Sequence, residues 1–290
     1  MSPPRTTTIG SILHQAATRL SRTDVDSPRL SAELILAQVL DTDRLQVLTR
    51  GDAVLTSDQV RAYWDLVESR ARGRPVAYLT GRKEFLGLAL TVSPDVLIPR
   101  PETELLLETA STLWPGQSPL LFADVGTGSG AIGLAMAHVF PRSRGLLTDA
   151  NQAALRVAGR NIAAHGKSSQ LQCVCCDLLE ACEKGTLDGV LSNPPYVSTV
   201  AFWAMDHQVR HFEPTQALWA GLQGVEVHIR LIRQAEQVLR SGGWLCMEIA
   251  WDQADALLSH VQGSAAGIWT DKRVIRDWAG LDRVFVMRRV

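Results

Sequence analysis

Residues 124–130 read Asp-Val-Gly-Thr-Gly-Ser-Gly, a glycine-rich stretch between a strand-like and a helix-like segment. The preceding segment, LLFADVG at 120–126, is apolar as in a buried strand, and AIGLAMAHVF at 131–140 suits a helix. Glycines allow a tight turn, and they let a ligand lie directly against the backbone. The stretch therefore predicts the ligand-binding strand–loop–helix unit of an α/β domain.

Strand and helix patterns continue to alternate beyond this loop. Further strands are predicted at 145–149, 171–177, 188–192 and 244–250, with helices at 151–166 and 225–240. Repeated strand–helix units predict a mostly parallel sheet covered by helices on both faces. The helix at 225–240 is expected to end at Ser241-Gly242-Gly243, and the strand at 283–287 is expected to pair at the sheet edge.

The chain before this domain has a different pattern. Apolar residues at helical spacing predict helices in the first 75 residues, with Ser27 as a cap before Pro28 and Thr56 with Gln59 as a capping box. Strand-like residues among glycines then predict a β-hairpin. The expected organisation is a helical-bundle domain at 1–76, a β-hairpin connector at 77–99 and a Rossmann-like α/β domain at 100–290.

Composition limits the possible partners. The 290 residues are 46 % apolar and 20 % charged, and 29 Lys and Arg against 30 Asp and Glu leave a net charge of −1. No overall positive field attracts nucleic acid or membranes, so a nucleic-acid role would need a local patch. No apolar run is long enough to span a membrane, and from residues 1–5 onward we expect no cleavable leader. We expect a cytoplasmic monomer that binds neither membrane nor nucleic acid.

Four of the five cysteines, Cys173, Cys175, Cys176 and Cys182, lie within ten residues. Their spacing lacks the paired CxxC or histidine pattern of a zinc site, and an odd total does not suit a secreted disulfide framework. We therefore expect no metal, and we interpret these cysteines as small apolar residues on a buried strand.

Acidic residues follow two of the predicted strands. Asp149 ends the strand after the glycine loop, where a carboxylate can accept hydrogen bonds from ribose hydroxyls. Asp177, with the apolar Leu178 beside it, ends the next strand and could hold an adenine ring or cap the following turn. Together with the glycines these residues predict an adenosine-type cofactor, but Gly126, Gly128 and Ala131 also satisfy the dinucleotide pattern.

Residues 193–196, Asn-Pro-Pro-Tyr, follow the strand at 188–192 and so lie at the same sheet edge as the glycine loop. Two prolines stiffen the loop because each fixes its own φ and restricts its predecessor. The Asn193 side-chain oxygen and the Pro194 carbonyl can each accept one N–H of a planar –NH₂ group, while Tyr196 stacks on its plane. Two acceptors would stabilise the positive charge that develops on nitrogen as a methyl group arrives.

The combination of DVGTGSG, Asp149, Asp177 and NPPY resembles class I S-adenosylmethionine-dependent methyltransferases that act on an amino group conjugated to a π system. NPPY itself is shared by adenine-N6 nucleic-acid and protein glutamine-N5 methyltransferases. Upstream, RPVAYLTG at 74–81 and VLIPRPETE at 96–104 resemble the release-factor glutamine methyltransferase family, PrmC/HemK. Phe212-Glu213-Pro214 and residues 279–284 extend the similarity over nearly the whole chain.

The resemblance implies that the substrate is the glutamine in the GGQ loop of class 1 peptide chain release factors and that S-adenosylmethionine becomes S-adenosylhomocysteine. It carries cofactor-binding roles to Gly126, Thr127, Gly128, Ser129, Gly130, Asp149, Asp177, Leu178 and Asn193. It carries substrate binding to Asn193, Pro194, Pro195 and Tyr196, of which Asn193, Pro194 and Tyr196 are catalytic. Leu178 replaces an aromatic residue frequent in the family. Arg100 and Glu102 align without an assigned chemical step, and the helical domain is expected to contact the rest of the release factor.

Other functions remain open at this point. An adenine-N6 DNA or RNA methyltransferase would need a basic face, and the only candidate is the cluster Arg70, Arg72, Arg74, Arg82 and Lys83, which we interpret as a solvated helix end and turn. Ribosomal-protein glutamine methyltransferases resemble the α/β domain too, although PRPETE favours the release-factor branch. A nicotinamide dehydrogenase would use the same glycine loop but gives no role to NPPY, and Asn193 argues against a non-catalytic binding module.

Overall fold

The computed structural model describes residues 7–264 and 267–290, which form two compact units. Residues 1–5, on which the expectation of no leader depends, lie outside the described residues. The helices are α1 (Ile9–Leu20), α2 (Pro28–Val39), α3 (Arg44–Thr49), α4 (Ser57–Ala71), α5 (Val76–Thr80), α6 (Glu104–Leu113), α7 (Ala131–Val139), α8 (Gln152–Ala164), α9 (Thr199–Ala204), α10 (His207–Phe212), α11 (Glu226–Val238) and α12 (Ala254–Ser264).

The strands are β1 (Arg82–Phe85), β2 (Leu88–Thr91), β3 (Leu121–Val125), β4 (Arg144–Asp149), β5 (Leu171–Cys175), β6 (Leu187–Ser192), β7 (Val197–Ser198), β8 (Trp219–Gly221), β9 (Leu239–Glu248), β10 (Trp269–Arg276) and β11 (Asp282–Arg289). Helices α1 to α5 and α10 belong to the first unit, which we call the helical unit. The large sheet and the helices around it belong to the second, the sheet unit.

The helical unit is built on local capping and apolar packing. The predicted capping box begins α4, because the Thr56 hydroxyl accepts from the Gln59 N–H and the Gln59 side chain accepts from the Thr56 N–H. Ser27 occupies the predicted N-cap position of α2, but its side chain does not cap the helix. Ser27 has a left-handed φ of 47° and its side chain accepts no helix N–H, while Pro28 takes the first helical position as predicted.

Arg70 is buried in the helical unit, so the interpretation of the basic cluster as a solvated helix end was wrong for this residue. Its guanidinium donates to Asp26 Oδ1 at 2.5 Å and to Gln208 Oε1 at 2.9 Å. The amide of Gln208 in turn donates to the Asp24 carbonyl at 2.9 Å. These bonds fasten α10, which comes from far along the chain, to the helical unit.

The sheet unit contains a seven-stranded sheet in the order β10-β11-β9-β6-β3-β4-β5. Strands β3, β4, β5, β6 and β9 are parallel, whereas β11 runs antiparallel to both of its neighbours. The mostly parallel sheet is thus confirmed, and β1 with β2 forms the predicted hairpin. The strand at 283–287 is not at the edge, because β10 covers it. The glycines at 242 and 243 lie within β9, which starts directly after α11 instead of after a separate turn.

Two glycines allow close packing in the sheet unit, one between α7 and the sheet and one between the neighbouring strands β3 and β4. A Cβ at Gly133 in α7 would lie 2.8 Å from Leu147, and a Cβ at Gly145 in β4 would lie 2.4 Å from Phe122. Both distances are shorter than van der Waals contact, so only glycine permits this packing. The close contact fixes α7, and with it the glycine loop, against β4.

The predicted positions of the cysteines were partly wrong. Strand β5 is an edge strand, so Cys173 is only half-buried and Cys175 is exposed. Burial raises the pKa of Cys182 to about 11, which keeps this thiol protonated at neutral pH. Within residues 7–264 and 267–290 no three His, Cys, Asp or Glu side chains are grouped to hold a metal ion, and no helix is long and apolar enough to cross a membrane.

Candidate active site

A cleft of about 240 Å³ opens at the carboxyl ends of the parallel strands in the sheet unit. It lies where the strand order changes direction, since β4 follows β3 on one side and β6 pairs with β3 on the other. Ligands bind at this point in open α/β sheets. Several predicted site residues line the cleft, namely Gly126, Thr127, Gly128, Ser129, Asp149, Asp177, Leu178, Asn193 and Pro195. Gly130, Pro194 and Tyr196 lie outside its lining.

The glycine loop adopts a conformation that only glycine takes without strain. Gly126, Gly128 and Gly130 have φ values of 68°, 54° and 83°. A Cβ at Gly126 would meet no atom within 4 Å, so its backbone borders open space in the cleft. The Thr127 N–H donates to the Thr148 carbonyl at 3.0 Å and ties the loop to the end of β4.

Asp124 supports the loop from beneath and is fully buried. Its Oδ2 accepts from the Thr127 hydroxyl at 2.6 Å and from the Gly133 N–H at 2.9 Å. Nothing in the described parts of the chain donates to its Oδ1, which is also buried. A buried carboxylate oxygen without a donor is costly, and Asp124 lies beneath the loop, outside the cleft lining.

Burial raises the pKa of Asp124 from 3.8 to about 6, against the opposing effect of its two hydrogen bonds. The folded protein therefore binds this proton more tightly than the unfolded chain does. The contribution of Asp124 to the free energy of unfolding falls as pH rises from 3.8 to about 6. Asp124→Asn removes the titration. We expect wild-type stability relative to the variant to decrease over that range and to be level above it. Chemical unfolding at a series of pH values measures this, and a constant difference from pH 4 to 7 would contradict it.

Asp149 connects the glycine loop with the start of α8. Its Oδ2 accepts from the Gly128 N–H at 3.0 Å, and its Oδ1 accepts from the Asn151 N–H at 2.8 Å. Burial raises the pKa of this carboxyl, and the two backbone hydrogen bonds act in the opposite direction. The carboxylate is thereby held at the wall of the cleft with lone pairs left for hydroxyl donors.

Asp177 and Leu178 follow β5, whereas the NPPY loop follows β6, and strands β3 and β4 lie between these two strands in the sheet. Asp177 pairs with Arg230 of α11, a cleft residue that was not predicted. Both side chains are about half exposed, so the pair contributes little stability, and the Asp177 carboxylate can exchange partners. Leu178 has a left-handed φ of 50°, and it lines the cleft as an apolar surface.

The NPPY loop is held by side chains from three other segments. The Asn193 Nδ2 donates to the Thr103 hydroxyl at 3.0 Å. That hydroxyl donates to Glu248 Oε2 at 2.7 Å, and the Tyr196 hydroxyl donates to Glu248 Oε1 at 3.3 Å. Gln253 Nε2 donates to the Tyr196 carbonyl at 2.9 Å. The loop therefore has its shape fixed before any ligand binds.

Two charged residues from the PRPETE and FEP segments join two walls of the cleft. Arg100 forms an ion pair with Glu213 Oε1, and the second oxygen, Oε2, accepts from the Ile98 N–H at 3.2 Å. The Glu213 carboxylate is buried, whereas Arg100 is about one-third exposed. Leu97 and Pro99 on one side and Pro214 on the other line the cleft. This contact gives Arg100 a structural role.

Removing the Glu213 carboxylate is expected to destabilise the sheet unit. Glu213→Ala leaves the buried Ile98 N–H and part of the Arg100 guanidinium without an acceptor, so we expect a loss of about 1–2 kcal/mol in the free energy of unfolding. Glu213→Gln is the matched control, because its amide oxygen can still accept from Ile98, and a smaller loss is expected. Denaturant unfolding measures both, and equal losses for the two variants would show that the Ile98 bond contributes nothing.

Comparison with known proteins follows the same two-part division. Residues 11–81 match the family described as PrmC N-terminal domain, and residues 101–210 match the Methyltransferase small domain. A release factor glutamine methyltransferase of Koribacter versatilis is 38 % identical over 283 residues, which cover 97 % of this chain and 99 % of that protein. The chain belongs to the release factor glutamine methyltransferase family. Another member, from Nitratidesulfovibrio vulgaris, is 38 % identical, and the match covers 100 % of this chain and 98 % of that protein.

Solved structures agree on the fold of this release factor glutamine methyltransferase family member. The hMettl16 catalytic domain, in complex with MAT2A 3′UTR hairpin 6, gives a TM-score of 0.57 at 14 % identity, covering 82 % of this chain and 84 % of that chain. The 16S rRNA N2 G1207 methyltransferase of T. thermophilus, in complex with AdoMet and guanosine, gives a TM-score of 0.52 at 17 % identity. The match covers 72 % of this chain and 50 % of that chain. The Rossmann-like methyltransferase fold is confirmed.

Family membership settles the enzyme class in favour of a methyltransferase and against the nicotinamide dehydrogenase. The sequence patterns did not predict three residues of the site in this release factor glutamine methyltransferase family member, namely Thr103, Glu248 and Arg230. Glu248 gave one signal, since it is the only charged residue in the apolar strand WLCMEIA. Thr103 lay within the PRPETE segment, but its partners are 90 and 145 residues away along the chain.

Proposed function

We propose that this chain transfers a methyl group from S-adenosylmethionine to the side-chain amide nitrogen, N5, of the glutamine in the GGQ motif of class 1 peptide chain release factors. The observation that carries the proposal is that Asn193 of NPPY and Asp149 line one cleft. A group that can hold an amide and a group that can hold a ribose are then within one binding site. The full-length relatives named release factor glutamine methyltransferase support this choice of substrate.

The cleft residues suit S-adenosylmethionine. Asp149 would accept hydrogen bonds from the ribose hydroxyls, and Asp177 with Leu178 would hold the adenine ring. The cofactor could lie directly against the backbone at Gly126, where a Cβ would meet no atom within 4 Å. When bound, S-adenosylmethionine supplies a methyl group on a positively charged sulfur, which takes the electron pair of the breaking C–S bond and leaves as S-adenosylhomocysteine.

The NPPY loop would hold and orient the glutamine amide. Asn193 Oδ1 and the Pro194 carbonyl would each accept one amide N–H, and the Tyr196 ring would pack against the amide plane. An amide nitrogen is a poor nucleophile because its lone pair is delocalised. Two acceptors would stabilise the positive charge that develops as the N–C bond forms, and one amide proton then passes to water.

The rest of the substrate protein needs its own contacts. We propose that the helical unit binds the release factor outside its GGQ loop, and that the enzyme acts as a cytoplasmic monomer without nucleic acid. A single glutamine side chain is too small to account for selection of one protein class, because specific protein partners bury about 800 Å² each.

The direct test is incubation with radiolabelled S-adenosylmethionine and, in separate reactions, a purified release factor, an adenine-containing oligonucleotide and ribosomal proteins. We expect label on the release factor only, and we expect peptide mass spectrometry to place one methyl group on the GGQ glutamine. A release factor with that glutamine replaced by alanine is the control and should take up no label. Label in the oligonucleotide or a ribosomal protein instead would overturn the proposed substrate.

A further inference from the structure

A buried carboxylate lies behind the NPPY loop and contacts it through two hydroxyl groups. Glu248 ends β9 and is 1 % exposed. Its two oxygens accept from different residues, Oε2 from the Thr103 hydroxyl at 2.7 Å and Oε1 from the Tyr196 hydroxyl at 3.3 Å. Thr103 lies in a single 3₁₀ turn, Pro101–Thr103, just before α6. The proposed reaction gives neither Thr103 nor Glu248 a role.

The chemistry of these groups fixes the direction of the hydrogen bonds. Burial raises the pKa of the Glu248 carboxyl, and the hydrogen bonds from Thr103 and Tyr196 act in the opposite direction. In its ionised form the carboxylate has acceptors only, so both hydroxyls direct their single proton toward Glu248. The Thr103 oxygen, having used its proton, can only accept from Asn193, and the Asn193 Nδ2 donates to it at 3.0 Å. This bond uses one of the two Nδ2 protons and sets the nitrogen side of the amide toward Thr103, so Oδ1 is the atom that the Asn193 amide can offer as an acceptor to the cleft.

The orientation of the Asn193 amide decides whether an –NH₂ group can bind. With Oδ1 toward the substrate, an acceptor meets a donor. With the amide turned by 180°, its own –NH₂ would face the –NH₂ of the substrate, and two donors cannot satisfy each other. Without a fixed partner both orientations would be open to the side chain, and only one of them would support the reaction.

We propose that Thr103 and Glu248 are positioning residues that hold the Asn193 amide with its oxygen toward the substrate nitrogen. This inference rests on the proposed function, because it requires Asn193 to accept a substrate N–H. Neither residue needs to touch the reacting atoms. The pair acts through Asn193, and Glu248 additionally holds the Tyr196 hydroxyl from the other carboxylate oxygen.

The test compares two substitutions of Thr103 that differ by the hydroxyl group. Thr103→Val keeps the branched shape but removes the hydroxyl, and we expect kcat to fall by roughly 5- to 10-fold, the equivalent of one preorganised hydrogen bond. Thr103→Ser keeps the hydroxyl and should retain kcat within about 3-fold. Glu248→Gln can donate to Thr103 and reverse the bond direction, so we expect it to lower kcat as Thr103→Val does. The KM for release factor and the Kd for S-adenosylmethionine should change less than kcat in all three.

A double-substitution cycle separates this inference from the proposed function. Thr103→Val should have no further effect on kcat in an Asn193→Ala background, because the side chain that it orients is gone. If Asn193→Ala alone leaves kcat unchanged, the proposed function fails. If Asn193→Ala lowers kcat but Thr103→Val does not, or lowers it equally in both backgrounds, the proposed function stands and the positioning role is refuted. Equal loss in Thr103→Ser and Thr103→Val would refute it too. Thermal unfolding of each variant confirms that it is folded.

Discussion

Asn193→Ala is expected to lower kcat for methylation of a release factor by roughly 10²-fold or more, which is the effect of removing one preorganised polar contact from a developing charge. Alanine cannot accept the substrate N–H, so the amide would lose one of its two proposed acceptors. The Kd for S-adenosylmethionine should remain nearly unchanged, because the ribose and adenine contacts are made by other residues. Single-turnover kinetics with saturating cofactor, together with a separate binding titration, measures the two effects independently.

Ser192→Ala is a suitable control for Asn193→Ala because it changes the neighbouring residue, the last one of β6. The Ser192 hydroxyl donates to the Val125 carbonyl at 2.7 Å and is fully buried, so its side chain is directed away from the cleft. We expect a small loss of stability and a kcat within about 3-fold of the wild type, since one neutral hydrogen bond contributes about 1 kcal/mol. A kcat for Asn193→Ala as high as that of Ser192→Ala would contradict the mechanism.

Asp149→Ala is expected to weaken S-adenosylmethionine binding by roughly 10- to 10²-fold, the equivalent of one or two charge-assisted hydrogen bonds to ribose hydroxyls. The substitution also removes the acceptor of the Gly128 N–H and so loosens the glycine loop. At saturating cofactor, kcat should recover most of its wild-type value. Isothermal titration calorimetry measures the affinity directly.

Asp149→Asn provides the intermediate case. Its amide has nearly the same shape and one acceptor oxygen, so it can keep one of the two backbone bonds but carries no charge. The expected order of affinity is wild type, then Asn, then Ala. If the three proteins bind S-adenosylmethionine equally well, Asp149 does not hold the ribose, whatever its effect on the loop.

The parts of the fold that could be predicted depend on local patterns. The strand–glycine loop–helix unit is local, and alternation of patterns after it is sufficient for a mostly parallel sheet. The order of the last two strands was not predictable in the same way. Residues 284–287 are apolar on both faces, as an internal strand requires, whereas β10 carries exposed charged residues typical of an edge.

The candidate site was predictable where one motif supplies its residues. Asn193 and Asp149 each follow a strand, and parallel strands bring their carboxyl ends to one edge. The network behind Asn193 was not predictable, because Thr103 comes from the 3₁₀ turn before α6 and Glu248 from the distant strand β9. The burial of Arg70 was not predictable for the same reason. A cationic residue at a helix end is usually solvated, and only the fold brings its partners Asp26 and Gln208 to it.

The helical unit is discontinuous in the chain, and this has a consequence for synthesis. Its first five helices are complete at Thr80, but α10, which supplies Gln208 to Arg70, is added only when translation reaches His207–Phe212. At ~5–20 residues per second, the ribosome needs roughly ten seconds to make the intervening chain. The hydrogen bonds of Gln208 to Arg70 and to Asp24 can therefore form only after strands β3 to β6 have been translated.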